Sequence, residues 1–205
     1  GASPGNDGPG TIEFNTDRGG KRIKYVVDDV TVSIIGERVQ HYGPDDDVKS
    51  RLESIDRDPG RIDFVVNSHL HFDHAGGLVP LQALYPQAKT CLPKLERPMF
   101  DLLPRQGELF GAPQFSKPCG RIDREIDDDE LVRVGALECR FVSTPGHTPG
   151  QGCWQVGGHL FVGDTIFAGS VGRTDFPLSD PDLAQKSLAK LMTLPGELHV
   201  HCGHG

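Results

Sequence analysis

Four side chains able to bind a metal ion occur within six residues in the segment Asn67-Ser68-His69-Leu70-His71-Phe72-Asp73-His74-Ala75-Gly76-Gly77. On extended backbone the imidazoles of His69 and His71 point to the same side. Asp73 and His74 face a neighbouring position as the chain turns, so one loop can feed two adjacent ions. Hydrolysis assisted by metal is the chemistry such a set supports, because a bound divalent ion makes a nucleophile of water near neutral pH. A lone histidine would be better read as a satisfied core side chain. Three with an aspartate, directly after an apolar run, reverse that reading.

Three later segments repeat one architecture, a short apolar strand ending in a metal-competent residue beside glycine. They are Phe141-Val142-Ser143-Thr144-Pro145-Gly146-His147, Leu160-Phe161-Val162-Gly163-Asp164-Thr165 and His199-Val200-His201-Cys202-Gly203-His204. Each alone is weak, since a Gly-Asp pair is most often only a turn. With the first cluster they would bring their ligands to one sheet edge. His41, His159, His199 and His201 lie outside the pattern and read as strand or turn residues. Cys202 reads as a strand residue beside the site rather than as a ligand.

The elements that must position these residues follow from periodicity. Residues 1–20, rich in glycine, are expected to be a loose leader to a single domain over 21–205. Arg22 to Arg38 reads as two strands about an Asp28-Asp29 turn. From Pro44, aspartates in the first turn and Val48, Leu52 and Ile55 on one face predict a helix that stops at Pro59-Gly60. Arg61 to Asn67 reads as a buried strand, Gly77 to Tyr85 as a helix, Ala88 to Leu92 as a strand and Leu95 to Leu103 as a helix. Residues 104–122, rich in Pro and Gly, suit a lid or a plain surface loop. Leu131 to Val142 gives two strands joined near Gly135, and Cys153 to Val162 a hairpin turned at Gly157-Gly158. Ser179 is the expected cap of a helix from Pro181 to Met192. Helices outside and paired sheets inside would bury this α/β pattern.

Composition narrows the function. The net charge of -8 argues against a nucleic-acid surface, which needs clustered Lys and Arg. The acidic runs at Asp45–Asp47 and Asp123–Glu130 read as solvated turns. Five cysteines without CxxC spacing are expected to be reduced, with Cys91, Cys139 and Cys153 in the core. No apolar run reaches the roughly 18–20 residues of a membrane span, and no signal-peptide pattern opens the sequence, so a cytoplasmic protein is expected.

With HxHxDH, a lone His, an Asp and a final His in order, the chain resembles the metallo-β-lactamase superfamily from about residue 22 onward. The resemblance implies a four-layer αββα sandwich. It also implies that His69, His71 and His147 hold one metal, Asp73, His74 and His204 a second, and that Asp164 bridges them. Two divalent ions are implied, zinc first, with iron or manganese compatible with the mixed N and O donors. In the commonest true β-lactamases a Cys stands where this chain has Asp164. The stretch Gly163-Asp164-Thr165-Ile166-Phe167 with Gly172-Arg173-Thr174-Asp175-Phe176-Pro177 is similar to single-domain type II glyoxalase-like thioesterases. The first cluster, and the long insertion before His147, look equally like N-acyl homoserine lactonases.

The glyoxalase resemblance implies a small acyl substrate whose thioester or ester is cleaved by a metal-bridging hydroxide. Asp73 would move the proton, and Arg173 would either meet a substrate carboxylate or pair with Asp175. A lactonase, a β-lactam hydrolase and a persulfide dioxygenase with one iron are the alternatives. A type II glyoxalase continues past its last ligand into a helical glutathione-binding domain, whereas Gly205 alone comes after His204 here, so efficient glutathione thioester binding is not expected. The stretch Gly8 to Phe14 resembles the segment just beyond the last ligand in that branch, which leaves a permuted order of segments as an alternative to the ordinary one.

Overall fold

The computed structural model describes residues 62–204, except 112, 114, 115, 117, 135 and 136, together with the backbone of three earlier strands. The helix expected after Pro44, and His41, lie outside the described residues. Strands β1 (Ile12–Asp17), β2 (Gly20–Val27) and β3 (Val30–Ile35) form an antiparallel sheet in that order. β1 is a correction to the loose leader expected over 1–20, because Ile12 to Asp17 pairs with β2 in unbroken register, Ile12 opposite Tyr25. The alternation of Ile12 and Phe14 with Glu13 and Asn15 is the pattern a strand needs.

Two further sheets carry the site. Strands β4 (Phe64–Val66), β5 (Lys89–Pro93) and β6 (Arg124–Ile126) are parallel. The larger sheet runs β13-β10-β9-β8-β7, from β7 (Leu131–Val134), β8 (Leu137–Ser143), β9 (Gly152–Val156), β10 (His159–Gly163) and β13 (His199–Cys202). Its pairs are antiparallel apart from β10 with β13. Between β10 and β13 lie the small hairpin β11 (Ile166–Phe167) and β12 (Ser170–Val171), and a helix described below.

The strand period of two sorts the side chains into layers. Phe64, Val66 and Cys91 of the parallel sheet meet Phe141, Trp154, Val156 and Phe161 of the larger one, forming the core between sheets. Their neighbours face outward. Val65 and Leu92 pack with Ala75 of α1 (Phe72–Ala75), Leu78 of α2 (Leu78–Leu84), and Met99, Phe100 and Leu103 of α3 (Arg97–Leu109). On the far side Val142, Cys153, Leu160 and Val162 pack against Leu191 of α4 (Pro181–Leu191), with Leu194 and Leu198 beyond it. The layers are therefore helix, sheet, sheet, helix. Phe141 lies 5.1 Å from Trp154 ring to ring, and truncating such an aromatic to alanine costs about 3–5 kcal/mol.

Helix α3 is longer than its sequence predicts. It runs through Pro104, whose missing N–H frees the carbonyl of Phe100, and the Cys119 thiol donates to that carbonyl at 3.1 Å. Part of the expected loop 104–122 is thus helical, as far as Leu109. Among the described residues no helix is long and apolar enough to cross a membrane.

Candidate metal centre

The first cluster lies where β4 ends. His71 is the N-cap of α1, with extended backbone (φ −66°, ψ 152°), and its carbonyl accepts from His74 N and Ala75 N at 2.9 Å. His69 thus sits on the extended approach, as its spacing predicts, and the turn expected at Asp73 and His74 is a short helix that begins before the one expected from Gly77. Ser68 Oγ lies 3.2 Å from His69 Nδ1, and Trp154 Nε1 donates to Asn67 O at 2.9 Å, tying this loop to the larger sheet.

His147 comes after β8 and is held by α4. Ser187 Oγ donates to Pro145 O at 2.6 Å, Asp180 N to Gly146 O at 2.8 Å and Ser179 Oγ to His147 O at 2.7 Å. Ser179 is therefore not the helix cap. Asp180 is, its Oδ1 accepting from Asp182 N and Leu183 N at 2.9 Å each. His147 Nδ1 lies 2.7 Å from the main-chain carbonyl of Arg173. A carbonyl only accepts, so Nδ1 carries the proton and Nε2 keeps its lone pair for a metal.

Asp164 leaves the end of β10, after Gly163 at φ +50°. A Cβ at Gly163 would stand 2.5 Å from Ser68 Oγ, so glycine is required both by backbone and by the neighbouring loop. His204 arrives on the adjacent strand. Gly203 N donates to Gly163 O at 2.9 Å, extending the β10–β13 ladder to the residue before His204.

The seven residues converge. Three groups have ligand atoms within 4.8 Å of one another: His69, His71 and His147; His69, His74 and Asp164; and Asp73, His74 and His204. Asp164 Oδ1 is 3.4 Å from His74 Nε2, while Oδ2 is 3.5 Å from both His147 Nε2 and His204 Nε2. Asp73 Oδ2 is 3.3 Å from His204 Nε2. Asp164 thereby touches both proposed ligand groups.

The donor set fits metal ions. His69 Nε2 and His147 Nε2 are buried with no hydrogen-bond partner among the described residues, a costly arrangement unless something binds them. Burial, then the neighbouring imidazoles, hold His69 well below the ordinary histidine range. Burial, then His147 and His74, lower His71 to about 3. Burial lowers His147 as well, against the opposing pull of the Arg173 carbonyl and Asp164. Neutral imidazoles are what ligation requires. For Asp164 burial pushes upward, but the hydrogen bond and charge of His74, with His204 and His147, outweigh it and hold the carboxyl below its usual range.

The remaining site residues divide. Arg173 stands at the rim with its guanidinium on Asp175, at 2.8 and 2.7 Å, and over the Phe176 ring at 4.4 Å. Cys202 is a strand residue packed against the Val142 and Leu160 cluster and belongs to none of the ligand groups. Two residues had been given no role by the sequence, Phe110 outside any motif and Phe176 within the Gly172–Pro177 stretch. Phe110 and Phe176 lie 5.0 Å apart and 5.8 and 5.5 Å from His71, making an aromatic wall beside it. A phenylalanine just before Gly111 in a Pro- and Gly-rich stretch was the available signal for the first.

The sequence pattern that defines the Metallo-beta-lactamase superfamily matches residues 37–204. The chain belongs to this superfamily. It is 33% identical over 171 residues to the Hydroxyacylglutathione hydrolase of Maricaulis maris, covering 82% of this chain and 57% of that protein. It is 31% identical over 148 residues to Glyoxylase B2 of Dictyostelium discoideum, covering 69% and 49%. This superfamily chain thus spans about half the length of those two curated relatives. Among solved structures, TTHA1623 in a di-iron-bound form is 27% identical with a TM-score of 0.70, covering 90% of this chain and 88% of that one.

Proposed function

We propose that this metal-dependent hydrolase of the metallo-β-lactamase superfamily cleaves a thioester or closely related ester of a small acyl substrate, as a type II glyoxalase does. The observation that carries the proposal is Asp164, whose two oxygens reach His74 on one side and both His147 and His204 on the other. His69, His71 and His147 would hold one ion and Asp73, His74 and His204 the other, with Asp164 between them. Two divalent ions there would supply ionised water near neutral pH and a Lewis acid for the developing oxyanion. Five imidazoles and two carboxylates favour zinc, and the di-iron form of the solved relative supports iron as the second choice.

The chain's own residues supply the rest. Asp73, with Oδ2 facing the His204 ring, takes the proton of the attacking water and returns it to the leaving group. Phe110 and Phe176 form an apolar wall that seats the acyl chain and keeps bulk water from the carbonyl. The names of the two curated relatives support a thioester over a lactone or a lactam. Metal analysis coupled to a panel of thioester, lactone, β-lactam and phosphoester substrates tests the proposal. Two metals per chain with fastest turnover of thioester is the expected result, and a single metal, or preference for another bond class, would overturn it.

A further inference from the structure

Glu96 stands behind the metal centre and belongs to none of the ligand groups. It closes the 3-10 turn Lys94–Glu96 between β5 and α3, and its side chain has no exposed surface. Its two oxygens are used separately. Oε2 accepts from Leu70 N at 2.8 Å, and Oε1 accepts from Gly150 N at 2.7 Å. Leu70 is the residue between His69 and His71, and Gly150 lies three residues after His147. One carboxylate thus spans the two loops that carry the ligands of the first ion.

The helix that follows Glu96 holds the other end of Leu70. Gln106 of α3, also buried, donates its Nε2 to Leu70 O at 2.7 Å. The peptide joining His69 to Leu70 is therefore held through its N–H by Glu96, and the peptide joining Leu70 to His71 through its C=O by Gln106. The Leu70 side chain is itself sealed in the helix-facing core. The second loop is pressed onto the same scaffold, since a Cβ at Gly150 would lie 2.4 Å from Glu96 N. Burial raises the Glu96 carboxyl above its ordinary range, and the Thr148 side chain, the N–H groups of Gly150 and Leu70 and the neighbouring His74 oppose that rise.

We infer that Glu96, assisted by Gln106, is a positioning residue that fixes the separation of the His69–His71 loop from the His147 loop and thereby sets affinity for the first ion. This rests on the metal reading of the site. The geometry demands an acceptor at each oxygen. Glu96→Gln offers an acceptor to one loop and an amide N–H to the other, where it opposes a second donor.

Zinc affinity of the full chain, measured by chelator competition on metal-free protein, tests the inference. Glu96→Gln is compared with Val156→Ala, a core truncation remote from both loops. Outer partners of metal ligands typically contribute about 10–100-fold in affinity, so Glu96→Gln is expected to weaken one of the two zinc-binding steps by that factor while Val156→Ala does not. Equal affinity in the two variants overturns the inference. Wild-type protein that takes up no zinc overturns the metal reading instead, so the two failures are distinct. If Glu96→Gln does not fold, Gln106→Met decides. It should alter the visible absorption of the cobalt-substituted protein and weaken the first site, and an unchanged spectrum and affinity overturn the bracket.

Discussion

The imidazole of His147 is steered by the main chain of Arg173, through a 2.7 Å hydrogen bond from Nδ1 to the carbonyl oxygen. Because the acceptor is backbone, the guanidinium is not needed for it. Arg173→Ala is therefore expected to keep the wild-type metal content, measured by elemental analysis. A loss of one metal would show that the side chain, not the peptide, orders His147. Any contact of Arg173 with an anionic substrate would appear as a raised KM at unchanged kcat.

Asp164 contacts ligands from both groups, so its replacement should disturb both ions where a terminal ligand disturbs one. Asp164→Asn is expected to lower metal content below that of His204→Ala and to lose more activity than the ~10–100-fold typical of an outer partner. Equal metal content in the two variants would remove Asp164 from its shared role.

Acid should destabilise the metal-free protein through His71. Its pKa is lowered from 6.5 to about 3, chiefly by burial. The folded chain keeps the ring neutral while the unfolded chain protonates it near 6.5. The contribution is full above that pH and is lost as pH falls from about 6.5 to about 3, to a limit of about 5 kcal/mol. Urea midpoints of the metal-free protein from pH 7 down to 4 should fall steadily, and His71→Gln should flatten the slope.

The aromatic wall predicts a binding effect separable from chemistry. Phe110 meets both Phe176 and His71 edge to face. Phe110→Ala should raise KM for an acyl substrate by about 2- to 10-fold, the value of one such aromatic contact, with metal content intact. A fall in kcat at constant KM would instead make the wall part of the reacting geometry.

The candidate ligands were legible because residues able to bind metal stand out by type and spacing. His69, His71, Asp73 and His74 needed only the change from extended backbone to helix at His71. Layering was legible too, since Val65 against Phe64 and Val66 is plain alternation. The shift of the α4 cap from Ser179 to Asp180 was not, because the Ser179 hydroxyl serves the His147 carbonyl, a partner 32 residues away. Extension of α3 through Pro104 leaves a carbonyl that the Cys119 thiol meets, a partner that periodicity does not reveal. Glu96 was hidden for the same reason. Its partners lie 26 and 54 residues distant, and a charged residue after a strand ordinarily signals only surface.

The parallel pairing of β10 with β13 ties the delivery of His204 to a long connection. Parallel neighbours require a crossover, and here it runs through α4, so the strand that delivers His204 is joined to β10 only by way of that helix. Pairings of this kind, distant in sequence, slow folding as a whole. The same crossover serves both candidate ligand groups, since α4 also holds the His147 loop through Ser179, Asp180 and Ser187.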